Sequence, residues 1–403
     1  MRIGLVLDHF DPTRGGVEQW TWQLANRLLN FRHEVHVVAS DFGPLYQGLA
    51  RSSSWTDLHP EGPAIVRHKL PGIRSRVGRA QAAAECLCQL KLDIIHDMGL
   101  GWYCDVFQPH GGARQAAFEQ NLLLIPRSLR GWKRLVARTL PRYRDFDRLT
   151  SRQYSGTQVV LALSQMVSRQ LQHFHGVSGE RIRLVYNGVD IEKFSPDHRT
   201  THREPIRRRM HLGDEVLFLI VAHNLKLKGV PTFLRALALL VNAGHSVHAA
   251  VVGGTRIRPY QRLASRLGIT KHVSFLGAVA DTVPFYAAAD VYVQPTYYDP
   301  CSLVALEAFA SGLPVITTQY NGAGELMTEG YHGFLLEKPD DFETLANRMY
   351  QFLNVGYRKQ MSSAVRELAL RHSFEHNVEQ VLSVYQEVLE ANWGNTRRAS
   401  FAA

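Results

Sequence analysis

Strand-length apolar runs alternate with segments of helical spacing through this chain, and the alternation runs twice, which restricts the fold to a small set. "RIGLVLD" is a continuous apolar run. "GGVEQWTWQLANRLLN" places Val17, Trp20, Leu24 and Leu28 at helical spacing, and "HEVHVVAS" returns to strand. "LDIIHDM", "CDVFQPH", "GTQVVLALS" and "IRLVYNGVD" read as further strands, with "QMVSRQLQHFHG" a helix between the last two. Runs this apolar suit strands of a parallel sheet, whose crossovers place helices on both faces. After an Arg-rich interval, "SPDHRTTHREPIRRRMHLGDE", which reads as a linker, the rhythm restarts at "VLFLIVAH" and continues to "LPVITTQ". The expected class is α/β, with two doubly wound parallel-sheet domains in tandem.

The length agrees. At 403 residues the chain exceeds one ordinary core. The expected divisions are residues 1–190, 191–373, a helix at 374–393 and a disordered tail at 394–403. No apolar run reaches the roughly 18 residues of a membrane span, and "MRIGLVLD" reads as a strand rather than a signal peptide. None of the four cysteines forms a CxxC pair, so neither a disulfide scaffold nor a structural metal is expected, and the expected compartment is the cytosol. The formal charge is +10, with 24 basic against 16 acidic residues up to Asp190 and 22 against 20 beyond it.

One stretch poses a chemical question. In "DPCSLVALEAFASGLPVITT", every residue from Leu303 to Ala310 is apolar except Glu307. A carboxylate in a buried helix costs several kcal/mol unless something donates to it. Two readings stand: Glu307 pairs with an internal Arg or Lys, or it accepts from two neighbouring hydroxyls of a ligand, as on a ribose. Ser302 is placed to cap the helix, which leaves the amides of Leu303 and Val304 in a first turn that favours an anion such as phosphate. Asp299 sits at the mouth of the loop, eight residues before Glu307.

This stretch resembles the acid-x7-acid element of the retaining glycosyltransferases of family 4, which have the GT-B architecture of two Rossmann-like domains facing a cleft. The usual form begins with Glu and continues "GFGL"; here it begins with Asp299 and continues "PCSL". The resemblance implies that Glu307 holds ribose hydroxyls, Asp299 the donor sugar, and the amides near Leu303 and Val304 the diphosphate. "GGVEQW" resembles the amino-terminal loop in which Gly15 and Gly16 let backbone approach the donor. "AHNLKLKGV" resembles the element whose basic pair neutralises the leaving diphosphate: Lys228 matches the lysine, His223 stands where arginine is usual, and Asn224 or Lys226 could assist. "GAGELMTEGYHGFLL" resembles the Gly-rich loop with its glutamate, Glu325. The C-terminal helix is expected to return to the first domain.

Other features carry two readings each. "DFD", residues 145–147, matches the DxD of metal-dependent transferases but lies in an Arg-rich helical stretch, where a solvated face is expected. His110, in "HGG" at a strand end, reads as ligand-facing or as part of a turn. His96 reads as ligand-facing or as a hydrogen-bonded core histidine. Ten Lys or Arg residues fall between Arg114 and Arg152, interleaved with Trp132, Tyr143 and Phe146. Such a face, centred on 127–152, attracts an anionic inner-membrane surface or a phosphorylated acceptor, or is an ordinary solvated helix pair. No motif supports nucleic acid.

The resemblance is nearest to the lipopolysaccharide core glucosyltransferase I group. It implies a cytoplasmic, membrane-peripheral hexosyltransferase using UDP-glucose and a glycolipid or saccharide acceptor, with no metal or other cofactor and with Asp299, His110 and Lys228 at the chemistry. The same family acting on an exopolysaccharide or phospholipid is the alternative. A Rossmann oxidoreductase is disfavoured because "DHFDPTRGG" lacks GxGxxG spacing. A non-catalytic anionic-surface binder would not need the acidic pair or Lys228.

Overall fold

The computed structural model describes residues 1–43 and 64–393. The expected tail at 394–403 lies outside them. The first sheet contains β1 (Arg2–Phe10), β2 (Glu34–Phe42), β3 (Val66–Lys69), β4 (Ile94–Asp97), β5 (Val106–Phe107), β6 (Val159–Ala162) and β7 (Ile182–Leu184). Their order is β3-β2-β1-β4-β5-β6-β7, with all pairs parallel. Helices α1 (Gly16–Asn30), α2 (Arg76–Gln89), α3 (Arg114–Leu122), α4 (Arg127–Thr139), α5 (Pro141–Ser155) and α6 (Gln165–His175) belong to this half.

The second sheet contains β8 (Val216–Val221), β9 (Val247–Val252), β10 (Val273–Gly277), β11 (Val291–Val293), β12 (Val315–Thr318) and β13 (Gly333–Leu336), in the parallel order β10-β9-β8-β11-β12-β13. With it go α7 (Arg199–Arg209), α8 (Val230–Asn242), α9 (Arg258–Arg266), α10 (Val283–Ala288), α11 (Leu303–Ala310), α12 (Phe342–Gln351) and α13 (Val355–Leu370). Strands β8 and β9 are buried at every residue, which is why they read as unbroken apolar runs.

Each sheet reverses winding once, between β1 and β4 in the first and between β8 and β11 in the second. Such switch points open crevices beyond the carboxyl ends of the strands. The two sheets turn those ends toward each other. Gly16, after β1, is so close to Leu303, after β11, that an added Cβ would sit 3.0 Å from the leucine side chain. Gly112, after β5, has φ +71° and leaves no room for a side chain beside Tyr298.

The last helix, α14 (Phe374–Trp393), returns to the first sheet as expected. Phe374, Val378, Val381, Tyr385 and Val388 join the core of β1 and α1. At about 1.5–3 kcal/mol per buried side chain, this packing contributes on the order of 10 kcal/mol before entropy is counted. The Trp20 indole N–H donates to Asn377 Oδ1 at 3.0 Å, so Trp20 is a core residue that ties α1 to α14.

The interval expected to be a linker is instead helix α7. Arg199, Arg203 and Arg207, four apart, donate to the carbonyls of Ala288 and Ala289 and to Asp290. They satisfy the carboxyl end of α10, so the Arg-rich face is a hydrogen-bonded contact.

Candidate active site

Helix α11 begins where β11 meets the switch point. Ser302 holds the N-cap position, but its hydroxyl does not cap the helix; it donates to Gln294 Oε1 at 3.0 Å. Asn321 Oδ1 accepts from the amides of Ser302 and Ala323, which laces the loop after β11 to the loop after β12. The first-turn amides at Leu303 and Val304 are thus left without a side-chain cap, and the Leu303 side chain lies against Gly16, the first residue of α1. Gly15 is itself an N-cap without a side chain. Two helix amino termini, one from each sheet, converge on one space, and their unpaired N–H groups and dipoles favour an anion there.

Glu307 lies one turn into α11. The Tyr286 hydroxyl of α10 donates to its Oε2 at 2.9 Å. Among the described residues no lysine, arginine or histidine forms an ion pair with it, so the internal-pair reading is not what the structure contains. Burial pushes the carboxyl up to about 7, with the Tyr286 hydrogen bond and the field of Lys193 acting in the opposite direction. This is a carboxylate still short of donors.

The loop after β8 carries His223, Asn224, Lys226 and Lys228. Gly229 ends it with φ +80°, where an added Cβ would collide with the Pro295 carbonyl; glycine is what lets this loop press against the strand-end loop after β11. Lys228 Nζ forms an ion pair with Asp299 Oδ2. His223 and Lys226 are exposed at the rim, while Asn224 closes the turn, its Oδ1 accepting from the Leu227 amide at 3.1 Å. Asp299 is held in place by backbone, its N–H donating to Tyr320 and its carbonyl accepting from Gly322.

His110 follows β5 on the opposite wall. Its ring lies 4.8 Å from Trp20 between centroids, its Nε2 is buried without a protein partner, and burial lowers its pKa to about 3. The imidazole is therefore neutral at ordinary pH. His96 is a core residue, its Nδ1 hydrogen-bonded to the Tyr385 hydroxyl at 2.7 Å.

The remaining features sort cleanly. Asp145 accepts from the Arg76 amide and Asp147 pairs with Arg114, both on helix α5. Glu325 accepts from the amides of Gln165 and Met166 at 2.7 and 2.6 Å and from the Tyr186 hydroxyl, so it caps α6 of the opposite half. Sequence reasoning missed Tyr286, Gln294 and Asn321; "NG" at 321–322 marks a turn, but nothing in the sequence pairs Tyr286 with Glu307.

Comparison with known proteins agrees with this geometry. Residues 14–193 match the family model Glycosyltransferase Family 4, and residues 202–368 match Glycosyl transferases group 1. The chain is 31% identical over 380 residues to D-inositol 3-phosphate glycosyltransferase 2 of Catenulispora acidiphila, covering 85% of each. It is 28% identical over 363 residues to a GDP-mannose-dependent alpha-(1-6)-phosphatidylinositol monomannoside mannosyltransferase of Mycobacterium tuberculosis, covering 83% of this chain and 85% of the relative. A match of 31% to D-inositol 3-phosphate glycosyltransferase of Thermobifida fusca covers 55% of this chain and spans about half the relative, 53%. The crystal structure of WaaG, a glycosyltransferase involved in lipopolysaccharide biosynthesis, superposes with TM-score 0.77 over 95% of this chain and 99% of that one at 19% identity, which speaks to the fold alone. Both halves matched in order, on two facing parallel sheets, place the chain in the GT-B glycosyltransferases of group 1 and family 4.

Proposed function

We propose that the protein is a retaining hexosyltransferase moving glucose from UDP-glucose to a hydroxyl of a glycolipid or lipopolysaccharide-core acceptor. The observation that carries this reading is Glu307: a carboxylate with one hydroxyl donor and, among the described residues, no ion-paired cation, one turn from an uncapped helix end that lies near a second one. Ribose hydroxyls would supply its missing donors. The diphosphate would lie between the ends of α1 and α11, beside Lys228.

The chemistry follows from this placement. The anomeric C–O bond breaks, the electron pair leaves with the diphosphate, and Lys228 with the α11 amides offsets the developing negative charge. The acceptor oxygen attacks from the same face, and its proton passes to the leaving phosphate oxygen. Asp299 faces the sugar as that ring gains positive charge. His110, being neutral, offers a hydrogen bond to a sugar hydroxyl rather than a proton. Because fixed cation and helix dipoles supply the positive field, transfer requires no divalent metal, and chelator leaves the rate unchanged.

The surface reading concerns α4. Leu129, Trp132 and Leu135 are exposed on it, beside Arg127 and Lys133. An apolar stripe next to cations suits the interface of an anionic membrane on the cytoplasmic side. Among the described residues no helix is long and apolar enough to cross a membrane, so attachment is peripheral in this reading.

A panel of UDP- and GDP-hexoses, with water as default acceptor, tests the assignment by nucleotide release. GDP-mannose belongs in the panel because the mycobacterial relative is named for it. Release from UDP-glucose above the others is expected; release from none removes the transferase reading, and release from GDP-mannose alone replaces the donor.

A further inference from the structure

Lys228 and Asp299 belong to the second half, yet each is preceded in the chain by a residue seated in the first. Tyr298 is buried in the cluster of Phe107, Ala113, Tyr154, Val160 and Met166, and Leu227 packs against the same cluster. The Tyr298 hydroxyl donates to Gln170 Oε1 of α6 at 2.8 Å. Glycine at position 112 makes room for the ring, since a Cβ there would lie 2.2 Å from the hydroxyl oxygen. A tyrosine suits such a seat: its ring fills an apolar pocket, and its hydroxyl finds one partner that sets the depth.

Backbone carries that seat directly to the ion pair. The Tyr297 N–H donates to the Leu227 carbonyl at 2.9 Å, and the Thr296 hydroxyl lies 3.2 Å from the carbonyl oxygens of both Leu227 and Tyr298. The loops that carry Lys228 and Asp299 are thus tied to each other beside the first-half core. The other side of Asp299 is held too: its carbonyl accepts from Gly322, three residues before Glu325, which accepts from the amides that open α6. Both anchors of Asp299 end on α6. Glu307 differs, because its hydroxyl donor Tyr286 belongs to the second half, so the proposed ribose contact is set within one half.

We propose that Tyr298 is a positioning residue for transfer: seated between Gly112 and Gln170, it aims Asp299 at the donor sugar from the core of the opposite half. The proposal rests on the transferase reading above and adds a residue that does not itself touch the donor. A carboxylate displaced by about 1 Å from a reacting centre can cost on the order of 10²-fold in rate. Nucleotide contacts made by α11 and Glu307 do not depend on that seat. Its loss therefore reads as lower kcat at unchanged UDP affinity.

The test uses the full chain with UDP and UDP-glucose. Tyr298→Phe keeps the ring and removes the hydroxyl; Gln170→Leu removes the acceptor from the other half. In either variant single-turnover hydrolysis of UDP-glucose should slow by about tenfold or more, while UDP binds within about twofold of the wild type by calorimetry. The double variant should lose no more than the worse single one, because both changes break one contact. Added to Asp299→Asn, Tyr298→Phe should cost nothing further. Melting temperature serves as the control for folding. Unchanged hydrolysis in both single variants, a loss repeated in full on Asp299→Asn, or UDP affinity falling in step with the rate overturns the proposal. A wild type that hydrolyses none of the nucleotide hexoses sinks the transferase reading itself, whereas an active wild type with indifferent variants sinks the proposal alone.

Discussion

Lys228 and Asp299 form an ion pair between the loops that follow β8 and β11, at the switch point of the second sheet. The lysine is thereby held beside the helix end of α11 before any ligand arrives. The pair also means that the two residues do not act independently. Asp299→Ala should leave UDP affinity equal or higher, since Lys228 loses a competing carboxylate, while turnover falls. Lys228→Ala should weaken UDP and lower turnover by about 10²- to 10³-fold, the size seen when one preorganised charge-stabilising group is lost. Calorimetry with UDP and steady-state transfer separate the two; weaker UDP binding by Asp299→Ala contradicts the assignment.

Glu307 makes stability depend on pH in a definite direction. Its folded pKa is about 7 against an ordinary 4.5, so between those values the folded chain holds a proton that the unfolded chain has lost. The contribution of this group is most favourable below pH 4.5 and declines as pH rises through 7. Glu307→Gln cannot ionise and should lack that decline. Its melting temperature should exceed the wild type at pH 8 by about 2 °C or more, and the gap should shrink by pH 5.5. A gap independent of pH would mean that Glu307 is not held protonated.

The basic segment divides once its partners are known. Arg130 donates to the carbonyls of Leu123 and Ile125, and Arg134 pairs with Glu119, so both serve the fold. Arg127, Trp132 and Lys133 are exposed. Arg127→Glu combined with Trp132→Ala and Lys133→Glu should reduce binding to anionic vesicles by tenfold or more, at about 1 kcal/mol per well-placed cation, and the wild-type binding should weaken with salt. Equal wild-type binding to neutral and anionic vesicles would contradict a membrane role for α4.

Much of this architecture is legible in the sequence because strands such as β8 and β9 are buried at every residue and read as apolar runs. Helix α7 is not legible: its inward stripe is half-buried Arg199 and Arg203 with buried Arg207, and Pro205 inside it reads as a breaker. A periodicity search for apolar residues misses a face buried through hydrogen bonds. The N-cap position of Ser302 is readable, but its hydroxyl turns to Gln294, eight residues upstream, for reasons that only the folded loops supply. Glu307 stands out in sequence as an isolated charge, whereas Tyr286 looks like any core aromatic.

Glu307 is the group proposed to hold the donor's ribose, and titration of Glu307→Ala with UDP tests that role most directly. A charge-assisted contact of this kind is worth about 1.5–3 kcal/mol, so affinity should fall roughly 10- to 150-fold. UDP-glucose should weaken in parallel, because both ligands carry the ribose. A folded Glu307→Ala protein that binds UDP as the wild type does would contradict the account.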